Sequence, residues 1–371
     1  MIKKSKLLTY SSSGVNYEAI DPLKRLAQLR AKKTSFNLRF FGAREIEASR
    51  GESAYVWEEK DCLRAFVIEG LGTKNLVADE TRKITGKTYY NFLAQDTVAM
   101  IINDLVVVGA EPQVVGAYWA VGNSDWFADK KRSKDLVNGW AKACNLAGAV
   151  WGGGETPTLK NIIEPGAIDL GGSAIGVIKP KERLTLGDKL TDGDVILLVE
   201  SSGIHANGLT LARAVASKLK RGYATRLADG KTYGETLLIA THIYGGLVKD
   251  FFENGIDIHY MVNITGHGWR KLMRAKKELT YFMENIPQPQ LIFQFIQEKG
   301  RISDSEMYRT FNMGAGFALF VPENQVKKAQ DIARQKNRFE TIKAGVVKKG
   351  PRQVIISPKK IIFSGKALKI R

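Results

Sequence analysis

The stretch at residues 94–112 constrains the fold more than any other part of the chain, because it is mostly apolar yet holds Asp96, Asn103 and Asp104 among its apolar residues. This pattern, closed by Gly109 and a following proline, predicts one buried helix. Asn103 follows Asp96 by seven residues, so both side chains point to the same side of that helix, and Asp104 lies about a quarter turn away. A buried carboxylate must be paired or must bind a cation.

Two interpretations of these polar groups are open. Two carboxylates and an amide are the hard oxygen ligands that Mg²⁺ prefers, which favours a metal site. Alternatively, Asp96 caps the helix and Asp104 forms a salt bridge. The helix alone does not decide between the two.

The length and composition of the chain set its class. A chain of 371 residues is long enough for two ordinary domains, and 44% hydrophobic with 25% charged residues is typical of a globular protein. No apolar run reaches the ~18 residues that would span a bilayer, and the N-terminus lacks the apolar core of a signal peptide. Cys62 and Cys144 match no metal spacing. We therefore expect two buried thiols in a cytoplasmic protein without a membrane partner.

The net charge of +18 is concentrated near the C-terminus, where residues 322–371 hold fourteen Lys and Arg against three acidic residues. A basic surface attracts polyanions. However, the aromatic interleaving and motifs of nucleic-acid-binding modules are missing. We therefore favour solvated charge, or steering of anionic small substrates, over a nucleic-acid partner.

A predicted strand at Arg64–Ile68 runs into a turn with Gly70, Gly72 and Lys74. The glycines let backbone N–H groups approach an anion, and the lysine supplies a positive charge. The spacing is not that of a Walker A loop.

A second glycine-rich turn follows the predicted strand Ala149–Trp151. Three successive glycines, Gly152 to Gly154, weaken a strand but allow a ligand close to the backbone. Glu155 at the tip of this predicted loop is a candidate metal ligand. The alternative is a tight turn with a solvated glutamate.

The second half of the chain begins near residues 180–190. A predicted buried strand, Val195–Val199, leads through a Ser- and Gly-rich loop at residues 201–208 to a helix at Leu209–Lys218, which is a natural anion site. His205 in that loop either caps the helix or contacts a ligand. A long helix at Gly234–Asn254, further strands and a second glycine loop before a helix complete an α/β (α+β) pattern with mixed connections.

Three segments in the first half resemble loops of the aminoimidazole ribonucleotide synthetase superfamily. They are Gly70-Leu71-Gly72-Thr73-Lys74, Asp96 with Asn103-Asp104-Leu105, and Gly153-Gly154-Glu155-Thr156. Two later segments, at residues 202–208 and 307–312, are similar to those of the synthetase family itself. The resemblance runs in the same order from about Tyr10 to about Val347.

The resemblance implies two domains, which we place at residues 1–182 and 183–360, followed by a basic tail at residues 361–371. The N-terminal sheets of two subunits would pair into a barrel-like homodimer core, and the C-terminal domain would be an α/β sandwich. The implied activity is an ATP- and Mg²⁺-dependent cyclo-ligase of purine biosynthesis. It converts formylglycinamidine ribonucleotide to aminoimidazole ribonucleotide with release of ADP and phosphate.

The resemblance also implies roles for particular residues. The expected metal ligands are Glu69, Asp96, Asp104 and Glu155. The expected nucleotide-binding residues are Gly70, Gly72, Thr73, Lys74, Asn103, Gly152, Gly153, Gly154 and Thr156. The expected substrate-binding residues are Ser202, Gly203, His205, Asn207, His267, Arg309, Thr310 and Asn312. Of all these, Lys74, Asp104, His205 and Arg309 are expected to act in catalysis.

The sequence departs from the family pattern at several ligand-facing loops. Glu69 stands where the family has Asp, and Ser11 and Asn16 stand where it has Lys and Asp. Asn263 replaces a histidine, and His267 appears four residues later. The segment after Thr156 also differs. These departures bear on the substrate more than on the fold.

Two other functions remain as alternatives. One is a paralogous ATP-dependent small-molecule kinase of the same superfamily. The other is a non-catalytic nucleotide- or nucleic-acid-binding protein, which the basic C-terminal residues would favour but which leaves the candidate metal ligands without a purpose.

Overall fold

The computed structural model describes residues 8–9, 13–14 and 17–368. The departures at Ser11 and Asn16 lie outside these residues, as do the last three residues of the predicted basic tail.

The helices are α1 (Tyr17–Lys32), α2 (Lys74–Thr85), α3 (Tyr90–Val106), α4 (Asp125–Ala128), α5 (Lys130–Ala147), α6 (Leu209–Ala216), α7 (Tyr233–Leu237), α8 (Gly245–Glu253), α9 (Leu291–Gly300), α10 (Asp304–Thr310) and α11 (Val326–Asn337). The strands are β1 (Arg44–Glu45), β2 (Tyr55–Glu58), β3 (Leu63–Gly70), β4 (Glu111–Val121), β5 (Val150–Glu155), β6 (Ile168–Ile178), β7 (Val195–Glu200), β8 (Tyr260–Asn263), β9 (Leu279–Met283), β10 (Ala315–Val321), β11 (Thr341–Lys349), β12 (Gln353–Ile356) and β13 (Ile361–Ser364).

The strands form two mixed sheets, which confirms the predicted α/β class. The N-terminal sheet has the order β1-β2-β3-β6-β4-β5, and its only parallel pair in the described residues is β4 with β5. The C-terminal sheet has the order β13-β12-β9-β11-β7-β10-β8 and is antiparallel except between β9 and β12. Each sheet draws its strands from one half of the chain.

Helix α3 packs against β3, β4 and β6 on the inner face of the N-terminal sheet, with α5 beside it. The residues of β3 alternate accordingly: Ala65 and Val67 are buried beneath the helices, whereas Phe66 and Ile68 are exposed on the outer face. The helix is therefore enclosed, as its sequence predicts, and its polar side chains have to find partners inside the protein.

The predicted helix at residues 94–112 is real but shifted. Helix α3 begins at Tyr90 and ends at Val106, because Glu111 and Pro112 already belong to β4 and pair with β6. Gly109, with φ +86°, makes the turn between them. A Cβ atom there would lie 1.9 Å from the carbonyl oxygen of Arg183, so only glycine fits.

Three further predictions differ from the structure. The predicted loop at residues 152–155 is part of β5, since its glycines pair in parallel with β4. The predicted helix at residues 234–254 is divided into α7 and α8 by an extended segment. The predicted tail from residue 361 begins instead with edge strand β13, which pairs with β12. In contrast, β3 and β7 lie where the sequence placed them.

Cys62 and Cys144 are buried free thiols, as predicted. Within the described residues, no helix is both long enough and apolar enough to cross a membrane.

Candidate functional site

Asp96 lies on α3 in a fully buried ion pair. One of its carboxylate oxygens is 2.7 Å from Nζ of Lys74, and both side chains have no exposed surface. The other oxygen accepts a hydrogen bond of 2.8 Å from the backbone N–H of Thr241. The Lys74 ammonium also donates to the carbonyls of His205, at 2.9 Å, and Ile239, at 3.0 Å. Burial raises the pKa of Asp96 and lowers that of Lys74, and each charge offsets the shift of the other.

Asn103 uses the same side of α3. Its side-chain amide donates to the carbonyl of His242 at 2.8 Å, and its oxygen accepts from the backbone N–H of Tyr244 at 2.8 Å. Gln95 donates to the carbonyl of Thr241 at 2.9 Å. These side chains hold the extended segment that divides α7 from α8, and they join the two halves of the protein. We name this set, with the Lys74–Asp96 pair, the α3 clamp.

The α3 clamp changes the interpretation of three predicted residues. The Lys74 ammonium forms an ion pair with Asp96 and donates hydrogen bonds to two backbone carbonyls. Asp96 neutralises that lysine, and Asn103 satisfies backbone groups. In this structure these residues join the two halves, and their expected phosphate, metal and nucleotide contacts stay predictions. Asp96 is not a helix cap either, because α3 begins at Tyr90.

Asp104 faces a different space, a cavity of about 260 Å³ between the two halves of the chain. We name it the junction cavity. Its lining residues come from α1, α3, the end of β3 and the loops before α6 and after β8. They include Lys24, Glu52, Glu69, Asp104, Asn207, Asn263, Thr265, His267, Lys271 and Arg274.

Glu69 and Asp104 bring two carboxylates into the junction cavity. Burial, together with the charge of Asp104, raises the pKa of Glu69 to about 7. Asp104 is only 6% exposed and accepts a 2.7 Å hydrogen bond from the side-chain amide of Asn263. Among the described residues Asp104 forms no salt bridge, which was one of its two open interpretations, and its partner is a neutral donor at the position where the family has histidine.

His267 also lines the junction cavity. Its backbone adopts φ +71°, a left-handed conformation that residues other than glycine rarely take. Burial, and then the charges of Arg270 and Lys271, lower the pKa of its imidazole to about 2. The ring is therefore neutral and can act as a hydrogen-bonding group, but not as a cation.

Glu155 and the glycines of β5 line a second space, a hollow of about 740 Å³ on the outer face of the N-terminal sheet. We name it the outer hollow. Its lining includes Glu69, Gly70, Gly152, Gly153, Gly154, Glu155 and Asp169. Gly153 has φ +128°, which strains any residue with a side chain. Because Glu69 lines both spaces, it connects the glycine-rich strands to Asp104.

The other residues that were expected to bind the nucleotide lie in the loops that follow β3 and β5. Gly72 is exposed, and Thr73 precedes α2 with a buried hydroxyl that has no hydrogen-bond partner among the described residues. Thr156 is exposed after the end of β5.

The predicted substrate residues divide into two groups. Asn207 and His267 line the junction cavity, and the buried side-chain oxygen of Asn207 has no hydrogen-bond partner in the described part of the chain. The others do not line it. Ser202, Gly203, His205, Thr310 and Asn312 bind other parts of the protein or are buried, and Arg309 is exposed.

Asn312 shows why these loops are polar. Its amide donates to the carbonyl of Gly203 at 2.8 Å, and its side-chain oxygen accepts from the Ser201 hydroxyl at 3.0 Å. Similarly, the Ser202 hydroxyl donates to the carbonyl of Ala240 at 2.6 Å. These hydrogen bonds hold loops together, so a catalytic or substrate contact is not needed to explain the residues.

His205 is 2% exposed, and its Nε2 accepts from the backbone N–H of Ser202 at 3.2 Å. Burial lowers the pKa of its imidazole well below the usual range, and the neighbouring His242 adds to that shift. The ring of His205 is therefore enclosed beside the α3 clamp, and its expected catalytic role stays a prediction.

Sequence reasoning missed four charged residues of the junction cavity: Lys24, Glu52, Lys271 and Arg274. Lys271 and Arg274 lie on the 3₁₀ turn Gly268–Met273 or directly after it. The glycine loop before this turn was recognised, so extending the motif by one helical turn would have found both.

Glu69 and Asp104 are the residues of the junction cavity that could hold a divalent cation together with a phosphate ligand. Within the described residues, no three His, Cys, Asp or Glu side chains lie close enough together to hold a metal. Mg²⁺ is commonly held by one or two carboxylates together with substrate phosphates. Glu69 and Asp104, whose proximity disfavours two unscreened negative charges, provide such a pair.

Comparisons with known proteins agree with this geometry. The family model described as AIR synthase related protein, N-terminal domain, matches residues 51–178, and the model of the corresponding C-terminal domain matches residues 191–357. A protein of Methanocaldococcus jannaschii is 38% identical over 271 residues, covering 72% of this chain and 74% of its own. A protein of Methanococcoides burtonii is 32% identical over 347 residues, covering 92% and 97%. Both are named phosphoribosylformylglycinamidine cyclo-ligase.

Solved structures share the fold at low identity. A HypE–HypF complex matches with a TM-score of 0.59 and 16% identity, covering 82% of this chain and 89% of the other. AaThiL complexed with AMPPCP and TMP matches with a TM-score of 0.57 and 14% identity, covering 84% and 89%. The two family models together span most of the chain, and the curated relatives align along most of their own length. The chain therefore belongs to the AIR synthase-related family, as the resemblance of its loops predicted.

Proposed function

We propose that this protein is an ATP-dependent cyclo-ligase that converts formylglycinamidine ribonucleotide to aminoimidazole ribonucleotide, with release of ADP and phosphate. The names of the curated relatives support this activity. The ATP requirement is supported by structural neighbours solved with ATP or AMPPCP. The observation that carries the proposal is the junction cavity, which is lined both by Glu69 and Asp104 and by cationic side chains from the other half of the chain.

The chemistry of this reaction suits such a cavity. Activation of an oxygen by phosphoryl transfer requires positioning and neutralisation of charge more than a protein nucleophile. Mg²⁺ would supply charge neutralisation at the phosphates, and Glu69 and Asp104 would hold it. Asn207 and the neutral His267 offer hydrogen-bonding groups that can orient a polar substrate. Enclosure between the two halves limits access of water to the activated oxygen.

Magnesium, a homodimer and a cytoplasmic location remain parts of this proposal. The dimer is supported by apolar side chains that are exposed on the outer face of the N-terminal sheet. They are Phe66, Ile68, Val114, Tyr118, Val150 and Ile175, with exposed fractions from 38% to 71%. A contiguous apolar face of this kind is typical of a protein interface. Sedimentation equilibrium should give a dimer, and Ile68→Asp should shift it to a monomer.

The test of the proposed activity is ADP release by the purified protein with Mg²⁺ and ATP, measured with and without formylglycinamidine ribonucleotide. We expect the ribonucleotide to stimulate release, and Glu69→Gln to abolish the stimulation. Glu111→Gln is a matched control, because Glu111 pairs with Lys249 on the surface. ADP release that the ribonucleotide does not stimulate would contradict the cyclo-ligase. If ATP binding still required Mg²⁺, a paralogous kinase would be favoured.

A further inference from the structure

The turn after β8 carries three cationic side chains, and their partners differ. The Arg270 guanidinium donates to the carbonyls of His267, at 3.1 Å, and Ala367, at 2.8 Å. The Arg274 guanidinium donates to the carbonyl of Gly51 at 3.0 Å and lies 3.6 Å from the Glu52 carboxylate. Both arginines are therefore engaged in holding the fold together.

Lys271 is different. Its side chain lines the junction cavity although the residue is only 6% exposed. Within the described part of the chain, its ammonium forms one hydrogen bond, to the hydroxyl of Thr265. No carboxylate oxygen of the described residues lies within ion-pair distance of its Nζ. An ammonium group has three donors, so Lys271 keeps donors and a positive charge for a ligand.

We propose that Lys271, positioned by Thr265, binds a phosphate group of the ligand in the junction cavity. The inference rests on the proposed function, and it assigns to Lys271 the phosphate contact that the sequence had suggested for Lys74. In this structure the Lys74 ammonium is held by the α3 clamp, through Asp96 and the carbonyls of His205 and Ile239.

The balance of charge in the cavity supports a phosphate over a carboxylate ligand. Burial lowers the pKa of Lys271, while the charge of Asp104 opposes this shift. A phosphate brings more negative charge than a carboxylate, so it favours the ammonium form more strongly. It can also share a divalent cation with Glu69 and Asp104 across the cavity, which a lysine alone cannot do.

The phosphate could belong to ATP or to the ribose 5-phosphate of the substrate, and calorimetry with two probes distinguishes these sources. The probes are AMPPCP with Mg²⁺ and formylglycinamidine ribonucleotide, each titrated into the full-length protein. We expect Lys271→Met to weaken binding of one probe roughly tenfold to a hundredfold. Lys271→Arg, which keeps the charge, should recover part of the loss. Lys276→Met is the matched control, because Lys276 is an exposed lysine of the same segment.

Loss confined to AMPPCP assigns the phosphate to ATP, loss confined to the ribonucleotide assigns it to the substrate, and either supports the proposal. Unchanged affinity for both probes would overturn it. If Lys271 serves only as a counter-charge to Glu69 and Asp104, the Lys271→Met variant keeps its affinity for both probes. That variant then binds Mn²⁺ alone more tightly than the unmodified protein, which electron paramagnetic resonance measures.

Two precautions keep the test decisive. Thermal unfolding checks that each variant folds. If Lys271→Met does not, Lys271→Gln, which keeps a hydrogen-bond donor for Thr265, carries the same expectation. Binding is measured without turnover, so the two proposals can fail separately. A failed cyclo-ligase assay of the unmodified protein would contradict the proposed function, whereas the measured affinities alone decide the assignment of Lys271.

Discussion

The polar residues on the two sides of helix α3 have different partners, although they are close together in the sequence. Asp96 and Asn103 reach the segment at residues 241–244 and are satisfied by protein atoms. Asp104, next to Asn103 in the chain, faces the junction cavity and has a neutral partner in Asn263. A carboxylate that is neutralised by a lysine and by backbone donors serves the fold, whereas one that lies at a cavity with only a neutral partner is available to a ligand.

The largest effect is expected from Asp96→Asn, which leaves the buried Lys74 ammonium without a counter-charge. Removing one partner of a buried ion pair costs about 3–5 kcal/mol of unfolding free energy. Urea denaturation monitored by circular dichroism measures this loss. The double variant Lys74→Met with Asp96→Leu, of similar volume, should recover most of it, since no charge remains buried. If the double variant were folded and stable but unable to bind ATP, the comparison would fail, because Lys74 would then have a ligand role.

Asp104→Asn tests the other side of the helix. The substitution keeps the shape of the side chain but removes a negative charge from the junction cavity. We expect substrate-stimulated ADP release to fall by about a hundredfold or more, while the thermal unfolding temperature changes little. A large drop in unfolding temperature with normal turnover would place Asp104 with the α3 clamp instead.

Asn103→Leu should have a smaller effect on stability than Asp96→Asn, because it removes hydrogen bonds but no charge. The carbonyl of His242 and the N–H of Tyr244 would lose their partners, which costs about 2 kcal/mol in total. Urea denaturation gives the stability, and ADP release by the folded fraction should stay close to that of the unmodified protein. Loss of ATP affinity at full stability would support the nucleotide contact that the sequence suggested.

The smallest effect is expected from Gln95→Ala. Gln95 is half-buried and donates one hydrogen bond to the α3 clamp, to the carbonyl of Thr241. Its removal should cost about 1 kcal/mol of unfolding free energy without changing ADP release. A cost as large as that of Asp96→Asn would mean that the hydrogen bonds, and not the ion pair, dominate the clamp.

Much of the fold was predictable because it depends on local patterns. The buried character of α3, the α5 helix and the central strands of both sheets follow from apolar periodicity. The division between α7 and α8 was not predictable, since the residues there are compatible with a helix. Their extended conformation depends on Asp96 and Asn103, more than a hundred residues away in the chain.

The candidate site was predictable in part. Glu69, Asp104, Asn207 and His267 were identified from the sequence and line the junction cavity together. Lys271 was missed, although it follows a recognised glycine loop. Lys74 and Asp96 were identified for ligand binding, but their partners are each other.

The sequence by itself determined that α3 is buried and that its polar side chains need partners, because burial of a charge without a partner is too costly in any fold. It also identified the family, through short loop segments that resemble those of the family and follow one another in the same order. Only the tertiary structure decided which partner each polar group has. Lys74 and Asp96 are brought together by the packing of α2 against α3, and Lys271 is brought towards Asp104 by the meeting of the two halves. These residues are brought close together although they are separated in the chain, so no local sequence pattern predicts that they are neighbours.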